Sequence, residues 1–186
     1  MTTDLKRRLR LAIIAELASR LEDKLGRTAL MKLIFFLQTR KEIDLGYSFR
    51  LYNYGPYDAQ VIGDLRLAES LGGVASKEFS WSGGTGYTLA LGQNGSTLIK
   101  DAGPELETIR PSIEWVVSEF GRRSAADLEI ASTIVFVDDT NSSEGRRQCP
   151  NELVATVHQI KPHHSESRIA AELDDLIKRQ LIHSVA

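Results

Sequence analysis

The run Tyr47-Ser48-Phe49-Arg50-Leu51-Tyr52-Asn53-Tyr54-Gly55-Pro56-Tyr57-Asp58 gathers four tyrosines and a phenylalanine into one short segment. It ends at a Gly-Pro corner. Proline fixes its own φ and pushes the residue before it out of the helical region, so the chain must turn at Gly55-Pro56. Proline is also at home in the first turn of a helix, where its missing N–H costs nothing. The run therefore predicts an extended aromatic arm that turns into a helix starting at Pro56.

Helical patterns precede the arm. Leu5, Leu9, Ile13, Leu17 and Leu21 recur every four residues, with Ile14, Ala18 and Leu25 widening the stripe, which predicts a helix over about 4–24. Gly26 is the expected C-terminal stop and Thr28 the expected cap of the next helix. That helix centres on Leu30-Met31-Lys32-Leu33-Ile34-Phe35-Phe36-Leu37, apolar on nearly every side, and belongs at the middle of a core.

After the arm, Val61, Ile62, Leu65, Leu67, Ala68 and Leu71 predict a helix from Tyr57 to Leu71, stopped by Gly72-Gly73. Val74–Phe79 and Gly86–Leu91 flank a glycine-rich tip, Trp81 to Gly86, and read as a β-hairpin. A short helix over Ser96–Asp101 follows. Three helices and then a hairpin is the order of a winged-helix unit. Gly103-Pro104 is the expected linker, and the rest is helical. Helices are expected over about 105–119, with Pro111 as a candidate break, and from a capping-box-like start at Ser124. Two more follow, over Pro150–Ile160 and after Ser165. Asp138–Cys149 reads as a mobile loop. The fold class expected is mainly α with a small β-hairpin: a winged-helix-like unit over 1–102 and a helical unit over 104–186 packed against it.

Composition narrows the function classes. The chain has 186 residues, is 42% hydrophobic and 26% charged, and carries a net charge of −2, an ordinary soluble balance with no global pull toward nucleic acid or anionic membrane. Residues 1–60 hold 11 Lys/Arg against 7 Asp/Glu, a modest basic bias. The single cysteine, Cys149, excludes an internal disulfide and fits a reducing compartment, so a cytoplasmic location is expected. No run reaches the roughly 18 apolar residues of a membrane span.

Gly26-Arg27-Thr28-Ala29-Leu30-Met31-Lys32-Leu33, followed by Phe49 to Asp58 with its Tyr54-Gly55-Pro56, resembles the Panacea domain of SocA-like antitoxins and the related YwgA-type proteins of prokaryotes. The likeness covers about residues 24–100. It implies a protein-interaction module, an antitoxin or defence-associated accessory protein, whose partner is a toxin or defence effector. Tyr57-Asp58 departs from the small or apolar residues that follow the proline in many such domains.

Tyrosine and arginine dominate protein–protein hot spots, because they bury area while keeping a polar end. Tyr52, Tyr54, Tyr57, Asp58 and Arg50 are accordingly the candidate partner-binding residues; packing of the rings into the corner of the fold is the plainer alternative. The second reading is a dimeric winged-helix DNA-binding regulator, with Lys6, Arg7, Arg8 and Arg10 as its basic residues. The helix after Pro56 argues against it, with Asp58, Asp64 and Glu69 against Arg66, since groove readers present cations and amides. His158, on a helix, and His163 and His164, in a turn, lack the i, i+4 spacing of a metal-binding helix face, and the turn pair reads as solvated. Glu129 with Asp138-Asp139 has no partner lysine at a nuclease-like spacing. No catalytic residue, metal site or cofactor is expected, and a homodimer is compatible with the pattern.

Overall fold

The computed structural model describes residues 3–22, 24–81 and 84–183. It is mainly α with small β-hairpins: among the described residues, eight helices and two two-stranded sheets. Contacts group the chain into two units, Met1–Arg50 with Tyr57–Arg123, and Leu51–Pro56 with Ser124–Ala186. The division falls at Arg123/Ser124, whereas composition pointed to Gly103-Pro104. Gly103 and Pro104 instead open a helix, where proline is tolerated because the first N–H groups have no intrahelical acceptor.

In the first unit, α1 (Thr3–Arg20) packs on α3 (Ala59–Ser70), α4 (Gly95–Asp101) and α5 (Gly103–Phe120). The central helix α2 (Arg27–Arg40) buries every residue from Leu30 to Leu37, as its all-round apolarity requires. Phe36 stacks on Phe120 with centroids 3.9 Å apart and planes at 4°, and Phe35 meets Phe49 edge-on at 5.2 Å. Strands β3 (Val74–Trp81) and β4 (Gly84–Leu91) pair antiparallel from Val74↔Leu91 outward. The expected hairpin is thus present; Ser82 and Gly83 of its tip lie outside the described residues.

Three local expectations fail here. Helix α1 stops at Arg20, and Gly26 is the extended residue that caps α2 in place of Thr28. The competing force is strand-like pairing: Leu89 N–H donates to Leu25 O at 2.8 Å, which draws Leu25 out of the helix. Pro56 does not start a helix. It lies in β2 (Gly55–Tyr57), which pairs with β1 (Arg50–Tyr52), and α3 begins after Asp58, whose carboxylate accepts from Gln60 N–H at 2.7 Å. Pro111 sits inside α5 without ending it.

In the second unit, α6 (Ala125–Ser143), α7 (Pro150–Ile160) and α8 (Glu166–Lys178) pack pairwise. The Ser124 start is as expected: its hydroxyl accepts from Asp127 N–H at 3.1 Å and donates to Asp127 Oδ2 at 2.6 Å. Ser165 caps α8, its hydroxyl accepting from Arg168 N–H at 3.3 Å. The expected loop over Asp138–Cys149 is helical as far as Ser143. Two of its polar residues face inward and have partners: Asp138 is fully buried and accepts from His183 N–H at 2.8 Å, and Asn141 donates to Gln148 Oε1 at 2.7 Å.

Candidate functional site

The second unit holds an unusual concentration of buried polar groups around the Tyr52–Pro56 turn. Gly55 has φ +86°, a left-handed conformation that glycine adopts without cost. A Cβ there would also lie 3.0 Å from Thr133 Oγ1 and 3.1 Å from Ser132 Oγ. Only glycine lets the turn come this close to α6. Both α6 hydroxyls are turned back on the helix, donating to Glu129 O at 2.7 and 3.2 Å.

Lys161, the residue that ends α7, reaches the same turn. Its side chain is almost fully buried. The ammonium donates to Tyr52 O at 3.2 Å and to Asn53 O, and lies 2.9 Å from Glu129 Oε1. A buried ammonium is sustained only by such a complement of acceptors and a counter-charge. The approach to Glu129 is an ion pair in distance but too poorly angled for a hydrogen bond, so Oε1 is buried without a directed donor.

Two histidines complete the group. His163 Nε2 is 3.4 Å from Glu129 Oε1, and His164 Nε2 is 3.8 Å from Glu129 Oε2. His163 faces solvent, whereas His164 is buried and its Nε2 has no hydrogen-bond partner. Burial, and secondarily the neighbouring His163, hold His164 below the ordinary histidine range, which favours the neutral ring. His158 Nδ1 contacts His164 O at 2.9 Å and fixes the turn from α7. The solvated histidine pair expected from the sequence is therefore half right: one ring is wet and the other belongs to the core.

The structure separates the five residues expected to bind a partner. Tyr52 and Tyr54 are 64% and 68% exposed at the anchored turn. In the first unit, Arg50 is exposed and Tyr57 is 38% exposed. Asp58 is committed to structure, capping α3 and accepting from Ser48 N–H at 2.5 Å. Tyr47, the remaining tyrosine of the arm, is core; its hydroxyl donates to buried Asp64 at 2.9 Å, and burial with that carboxylate pushes its pKa well up.

The four basic residues of the DNA-binding reading are matched with acids. Lys6 pairs with Asp44 at 2.5 Å, Arg7 and Arg8 with Asp4 at 2.9 Å each, and Arg10 with Asp64 at 2.9 Å. Each paired carboxylate cancels part of the field a phosphate would feel.

Sequence reading missed the Glu129–Lys161–His164 group. Each residue stood out alone, but the 32 positions from 129 to 161 hide their meeting. The available signal was a lysine and two histidines in one helix-ending turn, and a glutamate set between the apolar Leu128 and Ile130. No helix among the described residues is long and apolar enough to cross a membrane. No protein-family model matches the chain, and no curated protein is significantly similar to it.

Proposed function

We propose that the chain is a non-enzymatic protein-binding module that presents Tyr52 and Tyr54 to its partner. The observation that carries this reading is the turn itself. Its backbone is clamped by buried Lys161 and closely seated through Gly55, yet both tyrosine rings point outward. A clamped turn with two aromatic rings loses little conformational entropy on docking, and tyrosine buries apolar area while offering a hydroxyl. The second unit has six Lys/Arg against ten Asp/Glu, a net of −4, so a partner face with a basic rim suits it and a phosphate backbone does not. The Panacea-like motif of residues 24–100 gives that partner its class, a toxin or defence effector.

The test is affinity capture from the native host with the wild-type chain and with a Tyr52→Ala/Tyr54→Ala variant, alongside thermal melts of both. A stoichiometric protein retained by the wild type and lost by the variant, at equal melting temperature, is expected. Equal capture by both, or recovery of the bait alone, overturns the reading.

A further inference from the structure

The group Glu129, His163 and His164 has the donor set of a cation site. One carboxylate oxygen and two imidazole nitrogens lie within 4.8 Å of one another. Ligand atoms about 2.1 Å from a tetrahedral zinc ion are roughly 3.4 Å apart. His163 Nε2 lies 3.4 Å from Glu129 Oε1 and His164 Nε2 3.8 Å from Oε2, so each ring stands at about that spacing from an oxygen of the one carboxylate.

A second observation is independent of this spacing. His164 Nε2 is buried, has no hydrogen-bond partner, and has a carboxylate oxygen as its near neighbour at a distance too long for a hydrogen bond. A buried ring nitrogen left idle costs free energy, and an ion between it and the carboxylate would use both lone pairs. We propose that Glu129, His163 and His164 form a binding site for a divalent transition cation of the zinc type. Two imidazoles and one carboxylate suit zinc and its borderline neighbours rather than magnesium or calcium, which take oxygen ligands.

The surroundings support the site. The His158 contact to His164 O fixes the turn that carries both imidazoles. Lys161, 2.9 Å from Oε1 and tied to the carbonyls of Tyr52 and Asn53, holds the carboxylate in place beside the two rings. Three protein ligands and the exposed His163 ring leave a fourth position for water, the arrangement of an open zinc site. This site goes beyond the binding-module reading and stands or falls separately from it.

The test is equilibrium dialysis of chelator-stripped full-length protein against buffered zinc, with metal counted by atomic absorption. The wild type should take one zinc ion per chain and melt at a higher temperature with zinc than without. His163→Ala, at an exposed position where folding is not at stake, should weaken binding by about tenfold or more while melting like the wild type in zinc-free buffer. Glu129→Gln should do the same to binding; its own zinc-free melt separates lost ligation from lost folding. Failure of the wild type to bind zinc, or unchanged affinity in His163→Ala, overturns the proposal.

Discussion

Two buried carboxylates, Asp64 in the first unit and Glu129 in the second, are treated in opposite ways. Asp64 is saturated. It accepts from Tyr47 Oη at 2.9 Å and Gln60 Nε2 at 3.0 Å, and Arg10 Nε lies 2.9 Å away as an ion pair, though off the line of its own N–H. Arg10 also donates to Leu45 O at 3.3 Å and lies over the Tyr47 ring at 5.2 Å. Glu129 has instead one badly angled ammonium and two imidazoles at 3.4 and 3.8 Å. Saturated polar networks rigidify a core, whereas groups left with spare capacity point to a ligand or a use. The first network explains a fold and the second asks for a partner.

The contrast can be broken first at the lysine. Lys161→Met strands Glu129 as an unpaired buried charge and removes the donor to two carbonyls, so it should cost about 3–5 kcal/mol. Arg10→Met should cost clearly less, since Asp64 keeps two directed hydrogen bonds. Urea unfolding of both variants decides the matter; equal losses would mean that the two sites are not different in kind. Adding Glu129→Gln to Lys161→Met should recover part of the loss, because the stranded charge is gone.

The next effect is smaller and geometric. Gly55→Ala forces a left-handed alanine against the Ser132 and Thr133 hydroxyls and should cost about 2–3 kcal/mol. Chemical denaturation measures it, and a loss below the purely conformational cost of about 1 kcal/mol would show that the turn is not seated as closely as 3.0 Å implies.

The smallest effect is a pH dependence at the start of α6. Its Ser124 hydrogen bond, then Arg168 at 2.7 Å, hold the Asp127 carboxyl below its ordinary 3.8. A depressed carboxylate stabilises the fold above its unfolded pKa, and that contribution fades as pH falls through the folded value. Asp127→Asn should therefore be less stable than the wild type at neutral pH by under about 1 kcal/mol, since the pair is well exposed and screened. The gap should close as the pH drops below 3.8. A gap independent of pH in parallel thermal melts would contradict the assignment.

Most helices were legible in the sequence because each is a local pattern. The four-residue stripe of α1, the apolar Leu30–Leu37 centre of α2 and the serine caps at 124 and 165 need only near neighbours to be recognised. The errors came where a distant contact overruled a local rule. Leu25 was drawn to Leu89, Pro56 was drawn into a strand, and the polar end of α6 found inward partners in Gln148 and His183. The aromatic arm was read correctly as a corner, but which of its rings would be core was not legible. Tyr47 is buried against Asp64, 17 positions on, and Tyr52 and Tyr54 are exposed on a turn whose Tyr52 and Asn53 carbonyls Lys161 holds.

By itself, then, the sequence determined a mainly helical chain with a glycine-tipped hairpin and an aromatic Gly-Pro corner, since periodicity and backbone restriction act within a few residues. Only the tertiary structure decided that Gly55 is seated against α6, and that Glu129, Lys161, His163 and His164 share one pocket of charge. The physical reason is that ion pairs and ligand sets depend on distance in space. Residues 129 and 161 reach 2.9 Å only once α6 and α7 have packed.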